Sequence, residues 1–127
     1  MFSKFKDQSA SQQSGVQQPL WENYKVETMY LGGKSYRLIL ADTPEHRQQG
    51  LMFVRKPTKG FDGMVFRFPD TQSRTFWNKN TYVDLKLYWM IHGDVIGTSE
   101  LPSIEKSNHI VTVDSPSAVD TVVEIIQ

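Results

Sequence analysis

The segment Phe76-Trp77-Asn78-Lys79-Asn80-Thr81 runs two large aromatic side chains straight into four polar ones, which sets donors, acceptors and one cation beside a rigid apolar wall. That composition suits a small polar or anionic ligand such as a sugar or a carboxylate. The rings supply contact area, while amide, ammonium and hydroxyl groups fix orientation. The same residues can instead serve a turn, with Asn80 and Thr81 bonding the local backbone and Phe76 and Trp77 entering the core. Arg47 is the second candidate, on a short helix just before Gln49-Gly50. Its guanidinium can offer a bidentate fork to an anion or lie solvated on the helix face. The candidate ligand-binding residues are therefore Arg47, Trp77, Asn78, Lys79, Asn80 and Thr81.

Other chemistries find little support. The chain has no Cys, which removes disulfides, thiolate nucleophiles and Cys-ligated zinc or iron–sulfur centres. His46, His92 and His109 stand in three different contexts with no His-x-x-x-His pairing, so no metal site and no cofactor are expected. There is no Gly-x-Ser-x-Gly elbow, phosphate loop or dinucleotide fingerprint. An enzymatic reading rests on Asp84 or Glu100 as the general acid or base of a hydrolase or lyase acting on a carbohydrate or cell-envelope substrate.

The formal net charge is zero, which gives no global field favouring nucleic acid. The distribution is uneven: residues 46–86 carry eight Lys or Arg against three Asp, and residues 87–127 carry one Lys against six acids. A third reading is accordingly an interaction domain that turns the basic 46–86 segment toward an acidic protein or nucleic acid.

These residues must be held by a small strand-rich domain. Gln8 to Pro19 is a Ser/Gln tract with almost nothing to bury, which predicts a disordered tail over residues 1–19 and a folded domain over 20–127. Alternation from Tyr24 to Tyr30, a Gly32-Gly33 turn and the run Tyr36 to Ala41 predict a hairpin. Asp42 or Thr43 then caps a short helix of about residues 43–50, with Pro44 first, Glu45 in the first turn and Gly50 at the end. Met64 to Phe68 reads as β-rich. Val83 to Ile91 and Val95 to Leu101 form a second hairpin about His92-Gly93-Asp94, and Ile110 to Val113 and Thr121 to Ile126 complete the set.

About seven short antiparallel strands with one short helix predict a mainly β domain, a single small sandwich or partly open barrel. A hydrophobic fraction of 39% with seven Phe, five Tyr and three Trp is enough for one core. No apolar run is long enough to span a membrane, and Met1 to Asp7 leads into a polar stretch rather than a signal-peptide core. A monomer is expected, cytoplasmic or exported with its signal removed.

Three stretches carry a resemblance: Ala41-Asp42-Thr43-Pro44-Glu45-His46-Arg47-Gln48-Gln49-Gly50-Leu51-Met52-Phe53, then Gly63-Met64-Val65-Phe66, then Phe76-Trp77-Asn78-Lys79-Asn80-Thr81. In this order and spacing they resemble the DUF192 (UPF0127) family over about Val26 to Ile126. The resemblance implies a small all-β domain of sandwich or barrel type with no established function. The chain departs from the family pattern at Asn78, where Met is usual, at Asp84 and Lys86, where Pro and Asp are usual, and in lacking the usual Ala-Gly ending after Ile125-Ile126-Gln127. Lys86 reverses a charge, so any role of the family's Asp at that place does not carry over.

Overall fold

The structure is a computed structural model, which describes residues 21–58 and 60–127. The expected tail over 1–19 lies outside the described residues. The chain runs β1 (Val26–Leu31), β2 (Lys34–Ala41), α1 (Pro44–Gln49), β3 (Gly63–Gln72), β4 (Thr75–Trp77), β5 (Leu85–Ile91), β6 (Asp94–Leu101), α2 (Ile104–Ser107), β7 (Thr112–Asp114) and β8 (Val119–Ile126). Six strands form one sheet in the order β1-β2-β3-β8-β5-β6, and β4 pairs with β7 in a two-stranded ribbon. The fold is mainly β, and the main sheet does not close into a barrel.

The local signals act as their chemistry predicts. Thr43 is the N-cap of α1, its hydroxyl accepting from the His46 amide at 3.1 Å, with Pro44 at the first position and Gly50 ending the helix at φ 51°. Gly32-Gly33 and His92-Gly93 turn the two hairpins with positive φ.

Two expectations are corrected. The strands are not all antiparallel, because β2 and β3 pair in parallel, Leu38 opposite Gly63 through Ala41 opposite Phe66. A parallel pair needs a long crossover, and the α1-containing connection between them supplies it. There is also a second helix, α2. It is a single turn capped by Ser103, whose hydroxyl accepts from the Lys106 amide, and it ends at Asn108 in the left-handed region. One turn is too short for hydrophobic periodicity to reveal.

The larger core lies on the face of the main sheet that α1 and the β4-β7 ribbon cover. Met64, Phe66, Leu87, Trp89 and Val122 from the sheet meet Leu51, Val54 and Phe61 from the crossover, with Phe76, Val111 and Val113 packed on from the ribbon side. Phe76 stands edge-on to Phe66 at 5.0 Å between ring centroids and to Trp89 at 5.7 Å. This geometry adds to the area that the rings bury, and it fixes the ribbon over the sheet. The Trp89 indole N–H donates to Ser99 Oγ at 2.8 Å, so the fully buried ring keeps its polar edge satisfied. Leu38, Val65, Tyr88, Val123 and Ile125 make a second cluster on the other face.

β3 and β8 meet at the centre of the sheet, and at Gly63 the β8 backbone leaves no room for a side chain. A Cβ at that position would sit 1.9 Å from the Glu124 carbonyl oxygen, a contact with backbone that no rotamer relieves. Gly63→Ala is expected to destabilise the domain by about 2–3 kcal/mol, measured as a lower urea midpoint at unchanged m. A midpoint equal to wild type would mean that the two central strands separate freely.

Candidate functional site

Between the end of α1, the outer half of β3 and the β4 segment lies a cavity of about 930 Å³, within the range of small-molecule sites. One wall is Arg47 and the turn from Gln49 to Phe53. The back is Phe66 and Phe68, and the opposite wall is Arg74 to Trp77 with Lys79, Asn80 and Thr81. Glu124 of β8 reaches the cavity from the sheet beneath.

Glu124 is the unusual group. Its register partners are Met64 on β3 and Leu87 on β5, both fully buried. Along its own strand the same face carries Val122 and Ile126. The carboxyl is thus ringed by aliphatic side chains, and no group among the described residues hydrogen-bonds to it. Burial alone pushes its pKa up to about 8, because the charged form is largely desolvated and faces no counter-charge. Near neutral pH it is chiefly the protonated acid, able to donate one hydrogen bond and accept others.

The rest of the lining carries three cations, Arg47, Arg74 and Lys79, and one exposed acid, Glu45. The Arg74 guanidinium lies 3.6 Å from the Phe68 ring and pairs with Asp70 at 2.6 Å, leaving its buried Nε–H without a partner. The Arg47 guanidinium sits 5.5 Å from the same ring and donates to the Arg67 carbonyl at 3.0 Å. Lys79 Nζ stands 5.1 Å over Trp77, a ring left 48% exposed. Neither Arg47 nor Lys79 has an acidic partner among the described residues. The two lips are tied where the Phe53 amide donates to the Asn80 carbonyl at 2.8 Å. Both residues there hold positive φ, 70° and 52°, although neither is glycine. Strain of this kind concentrates at functional edges.

The candidate residues named from the sequence separate into two groups. Arg47, Trp77, Lys79, Asn80 and Thr81 all line the cavity. Asn78 lies beneath it, fully buried. Its amide donates to the Pro102 carbonyl at 2.9 Å and to Ser107 Oγ at 3.0 Å, and its oxygen accepts from the Val111 amide at 2.8 Å. It joins four chain segments and has no group left for a ligand. Thr81 is also largely structural, its hydroxyl donating to the Lys79 carbonyl at 3.1 Å.

The two acids proposed for catalysis stand apart from the cavity. Asp84 accepts from the Ser103 amide at 2.8 Å and faces Lys106 at 3.6 Å, whereas Glu100 is exposed on β6 opposite Lys86. Among the described residues no three His, Asp or Glu side chains converge to hold a metal ion, and no helix is long and apolar enough to cross a membrane.

Glu124 and Arg74 were missed from the sequence. The signal was present for Glu124: an acid in the middle of Val122-Val123-Glu124-Ile125-Ile126 must either face water or be buried at a cost, and a central strand leaves only burial.

A β sandwich with a cation-rimmed cavity above one buried acid defines the class, and sequence comparison supplies the family. The DUF192 profile, described as an uncharacterized ACR, matches residues 27–127. The chain belongs to the DUF192 family. No curated protein matches it. Among solved structures, a protein of Sinorhizobium meliloti 1021 proposed to be a transcription regulator is similar at 28% identity and a TM-score of 0.62, with 81% of each chain covered. A protein of unknown function from Novosphingobium aromaticivorans DSM 12444 shares the fold at 19% identity and a TM-score of 0.57, with 88% of each chain covered.

Two outcomes follow from this geometry. Asn78→Ala is expected to cost about 2–3 kcal/mol through three lost hydrogen bonds and to lower Tm by about 10 °C. Lys79→Ala should move Tm by less than about 2 °C; equal losses at both positions would contradict the division between support and lining. For Glu124 the folded state binds the proton more tightly than the unfolded one. Stability is therefore greatest below the unfolded value near 4.5, falls as pH rises, and levels off above about 8. Glu124→Gln is expected to flatten that decline and to raise stability at pH 8 by a few kcal/mol, on the order of the linkage cost. Parallel wild-type and variant unfolding curves from pH 4 to pH 9 would show that the carboxyl is solvated.

Proposed function

We propose that the domain is a non-catalytic binding module whose cavity takes a small anionic organic molecule, glycan-related fragments included. The observation that carries this reading is the pair of cations Arg47 and Lys79, each resting by an aromatic ring at the mouth of a ligand-sized cavity without an acidic partner among the described residues. An anion entering there gains two charge-assisted contacts and displaces no existing ion pair. Phe66, Phe68 and Phe76 offer apolar surface to the rest of the molecule.

The hydrolase or lyase reading draws less support. Asp84 and Glu100, the acids on which it rested, have other partners or face solvent, and Glu124 is the one buried acid lining the cavity. A two-carboxylate mechanism requires a second group facing the same bond. The reading that uses the basic 46–86 segment as an interaction patch is weakened by ion pairs, because Arg55, Arg67 and Arg74 are matched with Glu105, Glu27 and Asp70.

Thermal-shift and calorimetric titration with glucose 6-phosphate, hexyl phosphate, citrate and AMP tests the proposal. At least one of these anions is expected to raise Tm by several degrees at about 100 times its Kd. Arg47→Ala and Lys79→Ala should each weaken that binding by about tenfold with little change in the Tm of the free protein. Absence of binding across the panel, or equal binding by both variants, would overturn it.

A further inference from the structure

Resting on the reading of the cavity as an anion site, the structure supports a narrower assignment. The cavity has two unlike sides: one carries Arg47, Arg74 and Lys79 against the single exposed acid Glu45, and the other carries the Glu124 carboxyl, which has no partner among the described residues. Glu124 is only 4% exposed, and the cavity it lines is its route to a ligand. Among the described residues the Arg74 Nε is the one fully enclosed side-chain polar atom without a partner, so the Glu124 oxygens open onto the cavity, where a largely desolvated acid still carries a cost. A leucine or valine of similar size would serve the core better between Met64, Leu87, Val122 and Ile126. Its presence therefore makes chemical sense if something in the cavity completes its hydrogen bonds.

We infer that Glu124 is the specificity-determining residue of the cavity and that the ligand is a phosphorylated or otherwise anionic polyol, its charge held at Arg47 and Lys79 and a hydroxyl bonded to the Glu124 carboxyl.

The choice of a hydroxyl follows from elimination among ligand ends. A cationic inner end would have to pass Arg47, Arg74 and Lys79 to reach the floor, against their repulsion. A second anionic end would be stripped of water against Phe66 and Phe76 beside the Glu124 acid, and the one largely buried cation of the lining, Arg74, is already paired with Asp70. A purely apolar end would leave the carboxyl unpaired. A hydroxyl is neutral and is both donor and acceptor, which matches a protonated carboxyl on both counts. Sites built this way discriminate strongly, since a ligand lacking the hydroxyl leaves the buried acid unpartnered. The apolar walls formed by Phe66, Phe68 and Phe76 suit the carbon skeleton between the two ends.

The test pairs ligands that share the anion and differ in hydroxyls: glycerol 3-phosphate against propyl phosphate, and glucose 6-phosphate against hexyl phosphate. Each is titrated calorimetrically into wild type, Glu124→Gln and Glu124→Leu. In wild type at least one polyol phosphate is expected to bind about tenfold or more tightly than its alkyl counterpart. The preference should survive in Glu124→Gln, whose amide still donates and accepts, and vanish in Glu124→Leu. Both variants are expected to fold, because each removes the desolvated acid.

Alkyl phosphates that bind as tightly as the polyols, or a preference unchanged in Glu124→Leu, would overturn the role of Glu124 and leave the anion site standing. If citrate binds wild type and no phosphate ester does, this assignment fails and the anion site stands; if neither citrate nor any phosphate ester binds, the anion-site reading fails and this assignment fails with it.

Discussion

The arrangement of this domain turns on one carboxyl group that is largely desolvated and given no partner by the described residues. Glu124 sits on the central strand β8 between two buried aliphatic neighbours, with further aliphatic side chains above and below it on the same face. Desolvation of this kind opposes folding, so the rest of the structure must be stable enough to carry it. The edge-to-face contacts of Phe76 with Phe66 and Trp89, the crossover side chains Leu51, Val54 and Phe61, and the tight β3-β8 contact at Gly63 surround the site with rigid, well-packed material. A rigid frame also holds the cavity open above the acid rather than letting it collapse.

The electrostatics of the two ends reinforce each other. The mouth cations stand on aromatic rings, which hold them in place without neutralising them. The floor stays uncharged near neutral pH, so it does not cancel the positive field that draws an anion in. Asn78 contributes from below. By bonding Pro102, Ser107 and Val111 it pins the turn that presents Trp77 and Lys79. Where the family usually places an apolar Met, this chain builds a hydrogen-bonded junction between β4, α2 and the approach to β7. That gives the substitution a structural account without involving a ligand.

Much of the local architecture was legible in the sequence because the signals are themselves local. Thr43-Pro44-Glu45 through Gly50 specified a capped helix, and Gly32-Gly33 and His92-Gly93 specified hairpin turns. The parallel pairing of β2 with β3 was not legible, since it depends on where a long crossover returns the chain. The segment 76–81 was recognisable as unusual, but polarity alone could not tell a polar side chain lining a cavity from one buried beneath it. Thus Lys79 and Asn78 looked alike in sequence and part company in space. For Glu124 the sequence shows an unusual acid but not which way it faces. In a run of Val and Ile an acid reads as a solvent-facing position, and only the placement of β8 between β3 and β5 shows that both neighbours on its face are fully buried.

The most direct measurement is a carbon-detected NMR titration of the Glu124 side-chain carboxyl in the intact protein, assigned by its loss in Glu124→Gln. The account predicts a single titration near pH 8, far above the other glutamates. A carboxyl that titrates near the ordinary glutamate value would show that the floor of the cavity is charged and hydrated, and would contradict the account.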